Sequence, residues 1–208
     1  MIRIIGRKTS SNVQKVLWLC GEIGLEFERA DLGGPFGGND KPEYRAMNPN
    51  GLVPTIVEED GFTLWESNTI VRYFGAKYGK DSGLFPDDPR ARANGERWMD
   101  WQLSVMNPAM RPVFWGYVRT DPKDRDEAAL AKQTKTLGDK FRMMDDWLAK
   151  NDYMGGKDFT VADIPVGIAV HRWFEMPIPR IELPNLARFH ARLKERAAFQ
   201  EHIMQPLE

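Results

Sequence analysis

Along the first eighty positions the apolar residues recur with two different periods, and the change of period marks the elements. Ile2, Ile4 and Ile5 make a short apolar run ending at Gly6, which predicts a strand. A polar stretch, Arg7 to Asn12, then leads into Val13, Val16, Leu17 and Cys20, at the i, i+3, i+4, i+7 spacing of a helix that Gly24 closes. Glu26 to Ala30 reads as a second strand, parallel to the first because a helical crossover separates them. Gly33-Gly34-Pro35-Phe36-Gly37-Gly38 can only be loop, and Pro42 to Met47 a short helix. The turn Asn48-Pro49-Asn50-Gly51 feeds a strand at Thr55 to Val57. Asp60-Gly61 predicts a two-residue hairpin, and Phe62 and Leu64 alternate with polar neighbours on the return. The chain enters a further helix at Glu66-Ser67, with Ser67 as cap and Ile70, Val71 and Phe74 on its buried face. The order β-α-β-α-β-β-α predicts a mixed four-stranded sheet with helices.

Residues 80–89 break this composition with two prolines, one glycine and three aspartates, so the reading places an α/β domain at 1–80, a linker at 81–89 and an all-helical domain at 90–208. In that second domain Trp98, Trp101 and Val105 follow at i, i+3, i+7, and Leu130, Leu137, Phe141, Met144 and Leu148 come close to a seven-residue repeat. Pro108 and Pro112 should break or kink the first of these helices, since each lacks an N–H and crowds the preceding turn. Phe159-Thr160-Val161-Ala162-Asp163-Ile164 is a capping pattern: the Thr160 hydroxyl accepts from the Asp163 N–H, and the Asp163 carboxylate reaches back. Leu186, Phe189 and Leu193 form a last amphipathic helix.

Charge narrows the partners. With 29 Lys and Arg against 30 Asp and Glu, no electrostatic case exists for nucleic acid or an anionic membrane as the main partner. No apolar run approaches the roughly 20 residues of a membrane span, and the basic Arg3 and Arg7 interrupt any signal-peptide core; a cytoplasmic protein is expected. A single cysteine, Cys20, excludes internal disulfides, and His171, His190 and His202 lack metal-ligand spacing. No metal is implied. Cys20 itself lies on the apolar stripe of its helix, where cysteine behaves as a small hydrophobe.

Two places offer chemistry. The helix start at Glu66-Ser67 presents free N–H groups suited to a carboxylate, and the extended chain at Val53, before Pro54, offers backbone groups to a peptide-like ligand. Ser10, Ser11 and Asn12 stand at the other helix start, where capping alone would also explain them. Pro54 would be trans by default. Together Val53-Pro54, the hairpin and Glu66-Ser67 before a helix resemble the glutathione site of the cytosolic glutathione transferases. Thr160 to Asp163 is similar to the N-capping box that this family carries in the core helix of its helical domain.

The resemblance implies a thioredoxin-like first domain, a cis Pro54, glutathione as co-substrate and a homodimer. It implies that a hydroxyl at the first helix start donates to the glutathione sulfur. Ser10 occupies the position of the serine in theta-, phi- and zeta-like members, and Arg7-Lys8-Thr9 lacks the tyrosine of other classes. Asn12 matches an asparagine of bacterial nu-like members, and Ser11 lies between the two. Ser67 would take the γ-glutamyl carboxylate and Glu66 its amine, with Val53 pairing to the cysteinyl backbone. Lys41 or Asn39 would hold the glycine carboxylate. Leu52 departs from relatives that place Lys or Gln there. The electrophile pocket implied between the domains would be lined by Met106, Met110, Arg111, Phe114 and Trp115; for Phe114 plain core is the stronger reading. Function is therefore expected to be transfer of glutathione to a small hydrophobic electrophile. The alternatives are glutathione-dependent disulfide or peroxide reduction, and a non-catalytic glutathione-binding or scaffold role; the fold alone does not choose among them.

Overall fold

Ile2–Ile5 form β1, with Ile4 fully buried at its centre. The computed structural model describes residues 1–207. Helix α1 (Ser11–Ile23) crosses over to β2 (Phe27–Ala30), parallel to β1 with Ile2 opposite Phe27 and Ile5 opposite Ala30. Gly24 ends α1 in the left-handed conformation, φ 63, with its N–H returned to the Cys20 carbonyl, a backbone position that glycine reaches without the Cβ penalty. After α2 (Pro42–Met47), β3 (Thr55–Val57) runs antiparallel to β1 and β4 (Thr63–Trp65) antiparallel to β3, so the sheet order is β2-β1-β3-β4. Helix α3 (Ser67–Tyr78) packs on α1. The element order and the mixed sheet are those the apolar pattern predicts.

The hairpin differs in detail. The Glu58 N–H bonds to the Phe62 carbonyl and the Gly61 N–H to the Glu58 carbonyl, so the loop is Glu59 to Gly61 rather than Asp60-Gly61 alone. Gly61, at φ 88, supplies the left-handed residue that closes a three-residue loop, and the Asp60 carboxylate accepts from the Phe62 N–H at 3.0 Å.

The chain divides into one unit of residues 1–85 with 197–205 and a second that begins at Pro86 and runs to Arg196. The division falls inside the 81–89 segment, but a helical domain extending unbroken to 208 needs correction. Helix α8 (Pro184–Lys194) is followed by α9 (Ala197–His202), which lies on α1 in the first unit. The fit depends on Gly21, where an added Cβ would stand 2.8 Å from that of Ala198, and on Trp18, whose ring meets Phe199 edge-on at 4.9 Å.

In the second unit α4 (Pro89–Trp101) is capped by the Asp88 carboxylate on the Ala91 N–H at 2.8 Å. The helix then runs through a wide turn at Gln102–Met106, α5 (Asn107–Phe114) and a second wide turn at Trp115–Arg119. The expected break at Pro108 and Pro112 does not occur. Hydrogen bonds spanning five residues, Asn107 to Gln102 and Thr120 to Trp115, flank the two prolines, and turns of that width shift the ladder out of register with their missing donors. The buried stripe of α4 also differs from Trp98, Trp101 and Val105: it is Gly95, Met99, Gln102 and Met106. The tryptophans are half-buried, with Trp98 against Trp101 and Trp147 at 5.4 and 5.7 Å. Helix α6 (Glu127–Leu148) buries Leu130, Leu137, Phe141, Met144 and Leu148 as its repeat predicts. It holds α8 through Asp145, which accepts from the Leu186 N–H and from Asn185, both at 2.8 Å. Helix α7 (Asp163–Glu175) is the centre of this unit, buried at every position from Asp163 to His171.

Candidate functional site

Three segments of the first unit converge. The start of α1 meets the start of α3 through side chains: the Ser67 hydroxyl donates to Asn12 Oδ1 at 3.4 Å, and Lys15, three residues beyond Asn12 on the same face, donates to Ser67 Oγ at 3.3 Å and to Asn68 Oδ1 at 2.9 Å. The start of α1 meets Val53 through Gly6: a Cβ built there would stand 2.5 Å from Val13 Cγ2 and 3.0 Å from Val53 Cβ. Gly6 has φ 151, so both space and backbone require glycine at the point where the loop before α1 closes on the Val53 segment.

Ser10 is the N-cap residue of α1 with extended backbone, φ −72 and ψ 122; its carbonyl accepts from the Gln14 N–H at 2.8 Å, while its hydroxyl makes no capping hydrogen bond. The side chain is therefore not spent on closing the helix. Ser11 and Asn12 follow in the first turn, and all three are half-buried.

Val53-Pro54 is a cis peptide. Because β3 begins at Thr55, Val53 lies outside the ladder, and its N–H and C=O are not used in strand pairing. The segment is pinned by a polar knot: the Leu52 carbonyl accepts from Tyr44 Oη at 2.6 Å and from Asn48 Nδ2 at 2.8 Å, and both side chains also reach Thr55 Oγ1, at 2.8 and 3.1 Å. Tyr44, Asn48 and Thr55 are buried, so each hydrogen bond replaces one that water would have made. The side chain of Leu52 is 65% exposed. Asn39 is tied to this turn, donating to the Gly51 carbonyl at 2.8 Å. Lys41 caps α2 by its backbone and is exposed.

Glu66 stands at the N-cap of α3 with φ 72 and ψ 105, the one non-glycine residue with positive φ among those described. Such a conformation costs about 1–3 kcal/mol and is held only where the surroundings over-determine it. It turns the chain sharply out of β4, leaving the Glu66 side chain exposed and Ser67 and Asn68 buried. A buried hydroxyl and the open N–H groups of a helix start make an anion site.

Lys15, Asn68, Tyr44, Asn48 and Thr55 escape the sequence reading. The available signal was the i, i+3 spacing of Asn12 and Lys15 inside an otherwise apolar helix face. In the second unit Met106, Met110 and Phe114 are buried and Arg111 and Trp115 exposed. Two guanidinium groups lie over the Phe114 ring, Arg172 at 4.4 Å and Arg119 at 5.4 Å from its centroid, as for a core aromatic with cation–π contacts.

The family model for the glutathione S-transferase N-terminal domain matches residues 9–77, and that for the C-terminal domain matches residues 105–197. The chain belongs to the glutathione S-transferase family. Glutathione S-transferase GstB of Escherichia coli strain K12 is 39% identical over 208 residues, covering the whole of both chains. Glutathione S-transferase D7 of Drosophila melanogaster is 32% identical over 80% of this chain and 72% of its own length. Among solved structures, the theta class glutathione S-transferase of Xanthomonas axonopodis pv. citri with glutathione bound superposes with a TM-score of 0.95 at 46% identity, over 100% of this chain and 99% of the other. The first unit is thus the thioredoxin-like domain of a glutathione S-transferase, and the second its helical domain.

Proposed function

We propose that this family member is a glutathione transferase in which Ser10 lowers the pKa of the bound glutathione thiol. The observation that carries the reading is the Ser10 hydroxyl, which stands at the α1 start without a capping bond while Asn12 and Ser67 are joined beside it. A thiol of pKa about 8.5 is mostly protonated at neutral pH, and the thiolate is the nucleophile. A donor to sulfur and the positive end of the α1 dipole favour the charged form. The thiol proton leaves to solvent, and the thiolate sulfur attacks the electrophilic carbon, forming the C–S bond as a leaving group departs or a double bond takes up the electron pair. Val53 offers backbone groups to the cysteinyl unit, Ser67 and the α3 N–H groups take the γ-glutamyl carboxylate, and Glu66 its amine. Lys41 is favoured for the glycine carboxylate, since the Asn39 amide is already engaged by Gly51.

A charge-assisted hydrogen bond is worth about 1.5–3 kcal/mol, so Ser10→Ala is expected to raise the thiol pKa by about one to two units and to slow conjugation at neutral pH by up to about a hundredfold, with smaller loss of glutathione affinity. Thiolate absorbance of bound glutathione against pH tests this for Ser10→Ala, Ser11→Ala and Asn12→Ala. A titration moved only by Asn12→Ala transfers the role to Asn12; one moved by none leaves the backbone N–H groups as the source. A panel of carbon electrophiles beside a disulfide and a peroxide separates transfer from reduction. On the second unit, Met106, Met110, Arg111, Phe114 and Trp115 are proposed to serve the electrophile, and Trp115→Ala is expected to raise KM for the electrophile while leaving that for glutathione unchanged. Homodimeric assembly rests on the family resemblance, and a cytoplasmic site of action on the sequence pattern, in which no apolar run is long enough to span a membrane; sedimentation showing only monomer at micromolar concentration would remove the first, and fractionation with membranes the second.

A further inference from the structure

The face of α1 that packs on α3 carries a lysine. Lys15 is 1% exposed, yet its Nζ lies within hydrogen-bonding distance of Ser67 Oγ and Asn68 Oδ1, at 3.3 and 2.9 Å. The Ser67 hydroxyl has one proton, and because its oxygen accepts from the ammonium, that proton must turn away from Lys15. It does so toward Asn12 Oδ1 at 3.4 Å. A hydroxyl that accepts from a cation is polarised into a stronger donor, and in a buried setting the polarisation is little screened. The ammonium also lies where the N-terminal turns of α1 and α3 meet, and each turn presents partial positive charge. An ammonium and two helix ends thus act on a single hydroxyl, a combination suited to an incoming anion rather than to a neutral group.

We propose that Lys15 is a positioning residue: it fixes the Ser67 hydroxyl as an outward donor and tunes the joined starts of α1 and α3 for the γ-glutamyl carboxylate of glutathione. The inference rests on the glutathione reading above and extends it to a side chain that does not touch the ligand. When the carboxylate arrives, the Ser67 hydroxyl exchanges its contact with Asn12 Oδ1 for one with the ligand.

Calorimetric titration of the full-length protein distinguishes positioning from mere support. Wild type and Lys15→Met are each titrated with glutathione and with γ-aminobutyryl-cysteinyl-glycine, which lacks only the γ-glutamyl carboxylate. Lys15→Met is expected to weaken glutathione by about ten- to a hundredfold, the scale of one charge-assisted hydrogen bond, and the analogue by no more than about twofold, the limit of additivity for uncoupled changes. Equal losses for both ligands, or no loss for either, overturn the proposal. Lys15→Gln, which keeps a donor of similar length without the charge, carries the same comparison if circular dichroism shows Lys15→Met unfolded. A wild type that binds neither ligand overturns the glutathione reading and the inference with it; a wild type that binds glutathione while the variants retain its preference for the carboxylate overturns the role of Lys15 alone.

Discussion

Burial pushes the Cys20 thiol up to about 12, outweighing a backbone hydrogen bond that lowers it. The side chain is fully buried on the same helix face as Val13, Val16 and Leu17. Since the thiolate is the reactive form, the native protein is expected to resist iodoacetamide at pH 8 and to take up one equivalent only after denaturation. Labelling faster than global unfolding would sink this account. Cys20 was legible from its place on the stripe because apolar periodicity reports burial directly. Ser10 was legible at the cap of α1 because caps follow local rules, but local rules expected Ser67 as the cap of α3, where Glu66 stands instead, and made Pro54 trans; its cis bond was implied by the family resemblance alone. Lys15 was not legible, because a lone lysine reads as a solvated side chain until the helix packed against it is known. Nor was the Tyr44–Asn48–Thr55 knot, which joins α2 to β3 by contacts that exist only once the sheet has formed.

Elements followed their periodicity closely where one face alone is buried, as in α3 and α6. They departed from it where backbone geometry answers to tertiary packing. The wide turns around α5 are an instance, and Gly116 in the second of them shows the constraint. A Cβ there would stand 2.2 Å from Leu130 Cδ2 and 2.9 Å from Cδ1, and Leu130 is itself buried. Replacing glycine by alanine in a helix ordinarily gains about 1 kcal/mol, while overpacking costs about 1–3 kcal/mol. With Leu130 unable to swing into solvent the second effect should win, so Gly116→Ala is expected to lower stability by about 1 kcal/mol in urea denaturation; a gain would refute the close approach. The capping pattern before α7 also gained something that spacing could not show. The Asp163 carboxylate reaches back to the Thr160 N–H at 2.9 Å as predicted, but it also accepts from the Met154 N–H at 2.7 Å; the Thr160 hydroxyl donates to that carboxylate at 3.3 Å and accepts from the Ala162 N–H, while the Asp163 N–H goes to the Thr160 carbonyl at 3.0 Å. Asp163→Ala would strand two buried backbone donors, each costing about 1–3 kcal/mol. A loss of at least about 2 kcal/mol is expected, measured by the same denaturation.

Over the whole molecule, buried titratable groups oppose one another in pH, and the balance can be read by sign. Burial pushes His190 down to about 3, helped by the nearby His171 and Lys194. Burial also lowers His171, against the pull of Glu175, and lowers His202, against Glu201. His171 Nδ1 and His190 Nε2 are 3.1 Å apart, so one ring nitrogen donates and the other accepts; protonating both would set two N–H groups against each other. A histidine whose pKa is lower in the folded state gives stability that is complete above its unfolded pKa, about 6.5, and lost as the pH falls toward the folded value. Asp163 runs the other way. Burial raises it to about 7, against the N–H groups of Met154 and Thr160 and the charge of Arg196, so its contribution is complete below the unfolded value of about 3.9 and is lost as the pH rises through 7. From pH 6.5 to 5 His190 and Asp163 each change stability by about 2 kcal/mol, His190 downward and Asp163 upward, and so nearly offset one another. His171 and His202 both shift in the direction of His190, so the net expectation is a loss on acidification. His190→Gln, which keeps a hydrogen-bonding partner for His171, removes one of the three and should lessen the loss between those two pH values by about 2 kcal/mol. Urea denaturation of both proteins at pH 7, 6 and 5 measures it, and parallel stability curves would mean that the His190 imidazole titrates as if it were in water.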